Sequence, residues 1–213
     1  MADQTKSLDL AKLFQSVTGT LANNRQELNQ ADTNNHDHGD NMVDTFEVIT
    51  QAMREKKGAD PADQLEYAAQ MLRQRKSGSS QLYAKGLEQA SQQFQGQQVT
   101  PANAMTLIQS LLGGGQAAQS QAQQQDSGLG GVLGSLLGGS GGQQGQQAND
   151  GFGLDDLLQA GMSFMSTKSR GGSDLEAIVN AVVSSSAMGG GYRQQSGNLV
   201  ATALMQAVKG MIK

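Results

Sequence analysis

The chain contains no cysteine and no tryptophan, and only 2 of its 213 residues are proline. Without cysteine there can be no disulfide, no thiolate metal site and no cysteine nucleophile, a composition that fits a reducing, cytoplasmic setting. Aromatic residues make up 4% of the chain, so the core must be built from Leu, Ala, Val and Met. Runs of β-branched residues are scarce as well, which argues against strands and for an all-α chain. No apolar run approaches the roughly 18 residues of a membrane-spanning helix, so no transmembrane segment is expected. The first residues, Met1 to Ser7, lack the apolar stretch of a signal peptide. Basic runs are also missing and the net charge is −4, which sets nucleic acid and anionic membrane aside as main partners.

What is present is a series of amphipathic patterns separated by helix start and stop signals. Ser7 can cap a first helix in which Leu10, Phe14, Val17, Leu21 and Leu28 keep approximately helical spacing. A second pattern begins near Gly39, carries Met42, Phe46, Ile49 and Met53, and stops at Lys56-Lys57-Gly58. Asp60-Pro61 starts a third, with a capping residue followed by proline at the first helical position. A Ser-rich turn, Ser77-Gly78-Ser79-Ser80, opens a fourth that runs through Tyr83, Leu87 and Phe94, and Thr100-Pro101 opens a fifth. From 113 to 151 the composition turns to Gly, Gln and Ser, as in a flexible low-complexity linker or lid. Within it, 128–139 carries leucines at helical spacing backed by glycines, and such a helix needs a surface to lie on. That surface could be the domain's own core, a partner or a lipid interface. Residues 152–213 then supply further helices, around Leu154–Met165, Leu175–Val183 and Leu199–Met211. The chain thus divides into 1–112, 113–151 and 152–213, in all about eight helices of a bundle.

The densest group of potential ligands is Asn34-Asn35-His36-Asp37-His38-Gly39-Asp40-Asn41, which holds both histidines of the chain. It sits between two helical patterns, as a loop feeding a helix N-terminus where free N–H groups favour anions. Asp40 and Asp44 lie four apart and so share a helix face. Carboxylates beside such a terminus suit Mg²⁺ carrying a phosphate, but they equally suit a polar loop with Asp37 or Asp40 as a plain N-cap. The turn Ser77 to Ser80 is open to the same two readings, phosphate site or helix cap.

Asp37-His38-Gly39-x-Asn41-Met42 resembles the nucleotide-binding signature of DhaL-type domains, the phosphoryl-transfer module of dihydroxyacetone kinases and related fatty-acid kinases. Gly78, Ser79, Leu82 and Tyr83 are similar to that family's second phosphate turn, with Ser80 where a glycine is expected and Gln81 where proline is usual. Ser196-Gly197 ahead of Leu199-Val200-Ala201 resembles the family's closing loop and last helix. The likeness is most specific over about 7–112. It implies a barrel-like bundle of about eight antiparallel helices that binds Mg²⁺ with ADP or ATP and serves a substrate-binding kinase subunit, with a homodimer left open. On this resemblance His38, Gly39, Asn41, Ser79 and Ser80 contact phosphates, and Asp37, Asn35 and Asp40 hold the metal. Arg170 and Arg193 are the basic candidates to reach a diphosphate across the site. No catalytic residue is assigned.

The sequence departs from the signature at two carboxylates. Asn35 stands where the family's first aspartate falls, and Gln30 stands near an upstream one. Each replacement offers an oxygen but removes a negative charge, so phosphoryl transfer by this chain alone is expected to be slow or absent and nucleotide binding weakened. The alternatives are a catalytically degenerate scaffold or regulator, and an interaction protein that uses the Gly/Leu segment.

Overall fold

A computed structural model of the chain describes residues 7–113 and 191–211, all helix and connecting turns without a strand among them. The expected linker, the Gly/Leu segment, the helices expected around Leu154 and Leu175, and Arg170 lie outside these residues. Helix α1 spans Leu10–Asn23, and its buried Leu10, Leu13, Phe14, Val17 and Leu21 form one stripe. Its cap is Asp9 rather than Ser7: the Asp9 carboxylate accepts from the Lys12 amide at 3.1 Å. The first expected helix is in fact two, because the chain breaks at Asn24, whose side-chain amide donates back to the Thr20 carbonyl at 2.8 Å. Helix α2, Arg25–Ala31, follows and buries Leu28.

Helix α3, His38–Glu55, is the central element, touching α1, α2, α4 and α5. It stops at Lys56, and Gly58 takes φ 91°, a left-handed value that suits glycine. Helix α4, Pro61–Arg73, starts on Asp60, which accepts from the Ala62 amide at 3.2 Å, with Pro61 in the first turn. Helix α5 spans Gly78–Gln93 and packs closely on α6, Ala104–Gly113. A Cβ on Gly86 would meet the Leu111 carbonyl oxygen at 2.7 Å, so glycine is what lets these two backbones approach. Thr100-Pro101 does not begin α6 directly. Asn103 accepts from the Thr100 amide at 2.7 Å and holds 100–103 as a turn, which delays the helix to Ala104.

Helix α7, Tyr192–Met211, buries a face of small residues, Ala201, Ala203 and Ala207 with Val200 and Leu204, against α1 and α6. It begins four residues before the Ser196-Gly197 pair expected to precede it, so that pair lies inside the helix. Neighbour relations run α1–α3–α4–α5–α6–α7 and return to α1, with α3 also touching α5. One apolar core joins them, in which the Tyr83 ring meets Phe46 edge-on at 4.8 Å between centroids.

Candidate functional site

The start of α3 is built largely by residues of the preceding helix, α2. Asp37 occupies the capping position but makes no side-chain cap bond. Asn29 of α2 does the capping, its side-chain oxygen accepting from the amides of Gly39 at 2.6 Å and Asp40 at 3.1 Å. Such an approach requires a bare backbone, since a Cβ on Gly39 would lie 2.1 Å from the Arg25 carbonyl oxygen. Gly39 is therefore needed by the α2–α3 corner itself. The loop into the helix turns through His36 at φ 58°, an uncommon value for a side-chain-bearing residue.

Within that loop Asp32 is only 1% exposed, and its carboxylate accepts from the Asn34 amide at 3.0 Å. This bond holds its pKa below the ordinary carboxylate value, against the opposing effect of burial, with help from the amides of Asn35 and Asp37. His38 is 6% exposed. Its Nε2 lies 2.9 Å from the Ser196 hydroxyl, which also donates to the Arg193 carbonyl, and its ring meets Tyr192 edge-on at 4.7 Å. Burial pushes the imidazole below its usual pKa, opposed chiefly by the Asp32 carboxylate and assisted by the Arg193 guanidinium. The first residue of α3 is thereby tied to the first turns of α7, 158 positions away.

Helix α5 starts at a similar junction. Ser77 is its cap, accepting from the Ser80 amide at 3.1 Å. Ser80, expected on phosphates, is instead wholly buried, with its hydroxyl 2.9 Å from Thr45 and 2.8 Å from Ser77. Ser79 is the serine that faces outward. It lines a narrow crevice together with Gly78, Leu82 and Tyr83 of α5, His38 and Met42 of α3, and Arg193 and Ser196 of α7. His38 and Ser79, named from two separate stretches of sequence, thus share one cleft. Gly39 and Asn41 lie beside it without lining it.

Two of the three residues expected on Mg²⁺, Asp40 and Asp37, have other partners. Asp40 faces α2, where it accepts from the Asn29 amide at 2.8 Å and pairs with Arg25 at 3.5 Å. Asp37 accepts from the Asn41 amide at 2.7 Å, and Asn35 is exposed on the loop. Asp44, one helical turn on from Asp40, pairs with Arg75 at 3.3 Å. Among the described residues no three or more His, Asp and Glu side chains gather closely enough to hold a metal ion.

Sequence reasoning missed Asn29 as the cap of α3 and Ser196 as the partner of His38. Neither has a local signal, because each contact spans elements that only packing brings together. No protein-family model, characterised protein or solved structure matches the chain.

Proposed function

We propose that the chain is a DhaL-like nucleotide-binding module whose cleft takes the phosphates of ADP or ATP. In this reading Ser79 and Arg193 contact the phosphates, while His38 and Met42 shape the cleft from the α3 side. One observation carries it: His38 and Ser79, from two stretches that each resemble a phosphate turn, line one cleft together with Arg193. Start residues of three helices meet there beside a guanidinium, and the positive helix ends together with that charge favour an anion. The closed run of neighbours from α1 to α7 is compatible with the barrel-like bundle of about eight antiparallel helices that belongs to the same proposal. Phosphoryl transfer, if retained, requires a substrate-binding partner subunit and is slow or absent in this chain alone. A cytoplasmic location completes the reading.

A degenerate scaffold or regulator is the second reading. The observation that favours it is the commitment of Asp40 to Arg25 and of Asp44 to Arg75. Calorimetric titration of the full chain with ADP and ATP separates the two. Saturable binding that Ser79→Ala weakens is expected. Absence of heat with both nucleotides, in Mg²⁺ and in EDTA alike, overturns nucleotide binding and leaves the scaffold.

A further inference from the structure

We infer that the phosphate group taken by this cleft is held by the Arg193 guanidinium and the Ser79 hydroxyl without a bridging divalent cation. The inference rests on the nucleotide-binding reading and adds to it how the charge is balanced. None of the residues lining the cleft is acidic. Burial keeps His38 toward its neutral form, so the one full charge on the walls is the positive one of Arg193. A wall of that sign attracts an anion and repels a cation. The four aspartates near the start of α3 each have a partner elsewhere: Asp32 the Asn34 amide, Asp37 the Asn41 side chain, Asp40 Arg25 and Asn29, and Asp44 Arg75. Recruiting Asp40 to a cation would mean releasing it from its pair with Arg25 and turning it away from α2.

Arg193 is suitably placed for the task. Its side chain is exposed and lines the cleft, and its Nη2 would lie 3.7 Å from a Cβ on Gly78, where glycine leaves the wall open. A planar guanidinium can donate two parallel hydrogen bonds to a phosphate, a geometry an ammonium lacks.

Calorimetry of the full chain with ADP in EDTA and then in Mg²⁺ tests the inference. Binding in EDTA is expected to be as tight as in Mg²⁺ or tighter. Arg193→Ala should weaken it roughly tenfold or more, as loss of a hydrogen bond to a charged group does, and Arg193→Lys should weaken it less. Arg193 is exposed, so circular dichroism should show both variants folded. Binding that needs Mg²⁺, or an Arg193→Ala variant that binds like the wild type, overturns the inference and leaves the nucleotide-binding reading standing. Absence of binding in both buffers overturns that reading itself.

Discussion

At residue scale the α2–α3 corner depends on one missing side chain. A methyl group on Gly39 would meet the Arg25 carbonyl at 2.1 Å and the Asn29 side-chain oxygen at 2.8 Å. The obstacle is backbone, so it cannot be relieved by a rotamer change, and α2 must move away and release the Asn29 cap. Gly39→Ala should therefore cost about 1–3 kcal/mol, the usual range for overpacking. Gly19 is the matched control: it lies in α1, is exposed, and has nothing within 4 Å of an added Cβ. Gly19→Ala should stabilise by about 0.5–1 kcal/mol, because alanine loses less backbone freedom in a helix. Urea unfolding of the two variants checks the opposite signs. If both shift the midpoint in the same direction, the close approach at the corner is misread.

At the scale of the element, the start of α5 separates two duties among adjacent serines. Ser77 caps the helix, Ser80 joins Thr45 in a buried hydroxyl pair, and Ser79 faces the cleft. Ser77→Ala should lower stability by about 1 kcal/mol, the usual value of a cap. Ser79→Ala should leave the unfolding midpoint within a few tenths of a kcal/mol of wild type, as surface changes usually do, while weakening ADP. Thermal unfolding and calorimetry on both proteins distinguish the duties. A Ser79→Ala variant that loses stability but not affinity would return Ser79 to the role of a helix-start residue.

For the whole molecule the informative contact is His38 with Ser196, which fastens the start of α3 to the start of α7. The folded chain holds His38 below its usual value of 6.5, with burial as the main cause. As the pH falls through that value the unfolded chain takes up a proton that the folded chain resists, so stability must decline. Above it both states are neutral at this residue and the contribution is complete. Asp32 is likewise held below its usual value of 3.8, so its contribution is present above that value and is lost as the pH falls beneath it. Two stages of acid loss are expected. Urea midpoints at about pH 5 and about pH 7.5 isolate the first. His38→Gln should flatten the difference between them, whereas His36→Gln, on the exposed loop, should leave it. An unchanged difference in His38→Gln would assign the acid loss to another group.

Several features were legible in the residues alone because they are local. The stripe from Leu10 to Leu21, the Asp60-Pro61 start and the Lys56-Lys57-Gly58 stop each encode structure within a turn or two, where spacing and capping decide the outcome. The same locality made the Asp37–Asn41 and Ser77–Ser80 stretches recognisable as helix starts with polar groups at hand. What each polar group then touches was decided by packing between helices, some neighbouring and some far apart in the chain. Asn29 capping α3, Ser80 turned to Thr45, Asp40 turned to Arg25 and Ser196 set against His38 all depend on which helix lies alongside. A side chain with several possible partners takes the one that relieves the most buried polar surface, and that choice exists only once the helices are assembled.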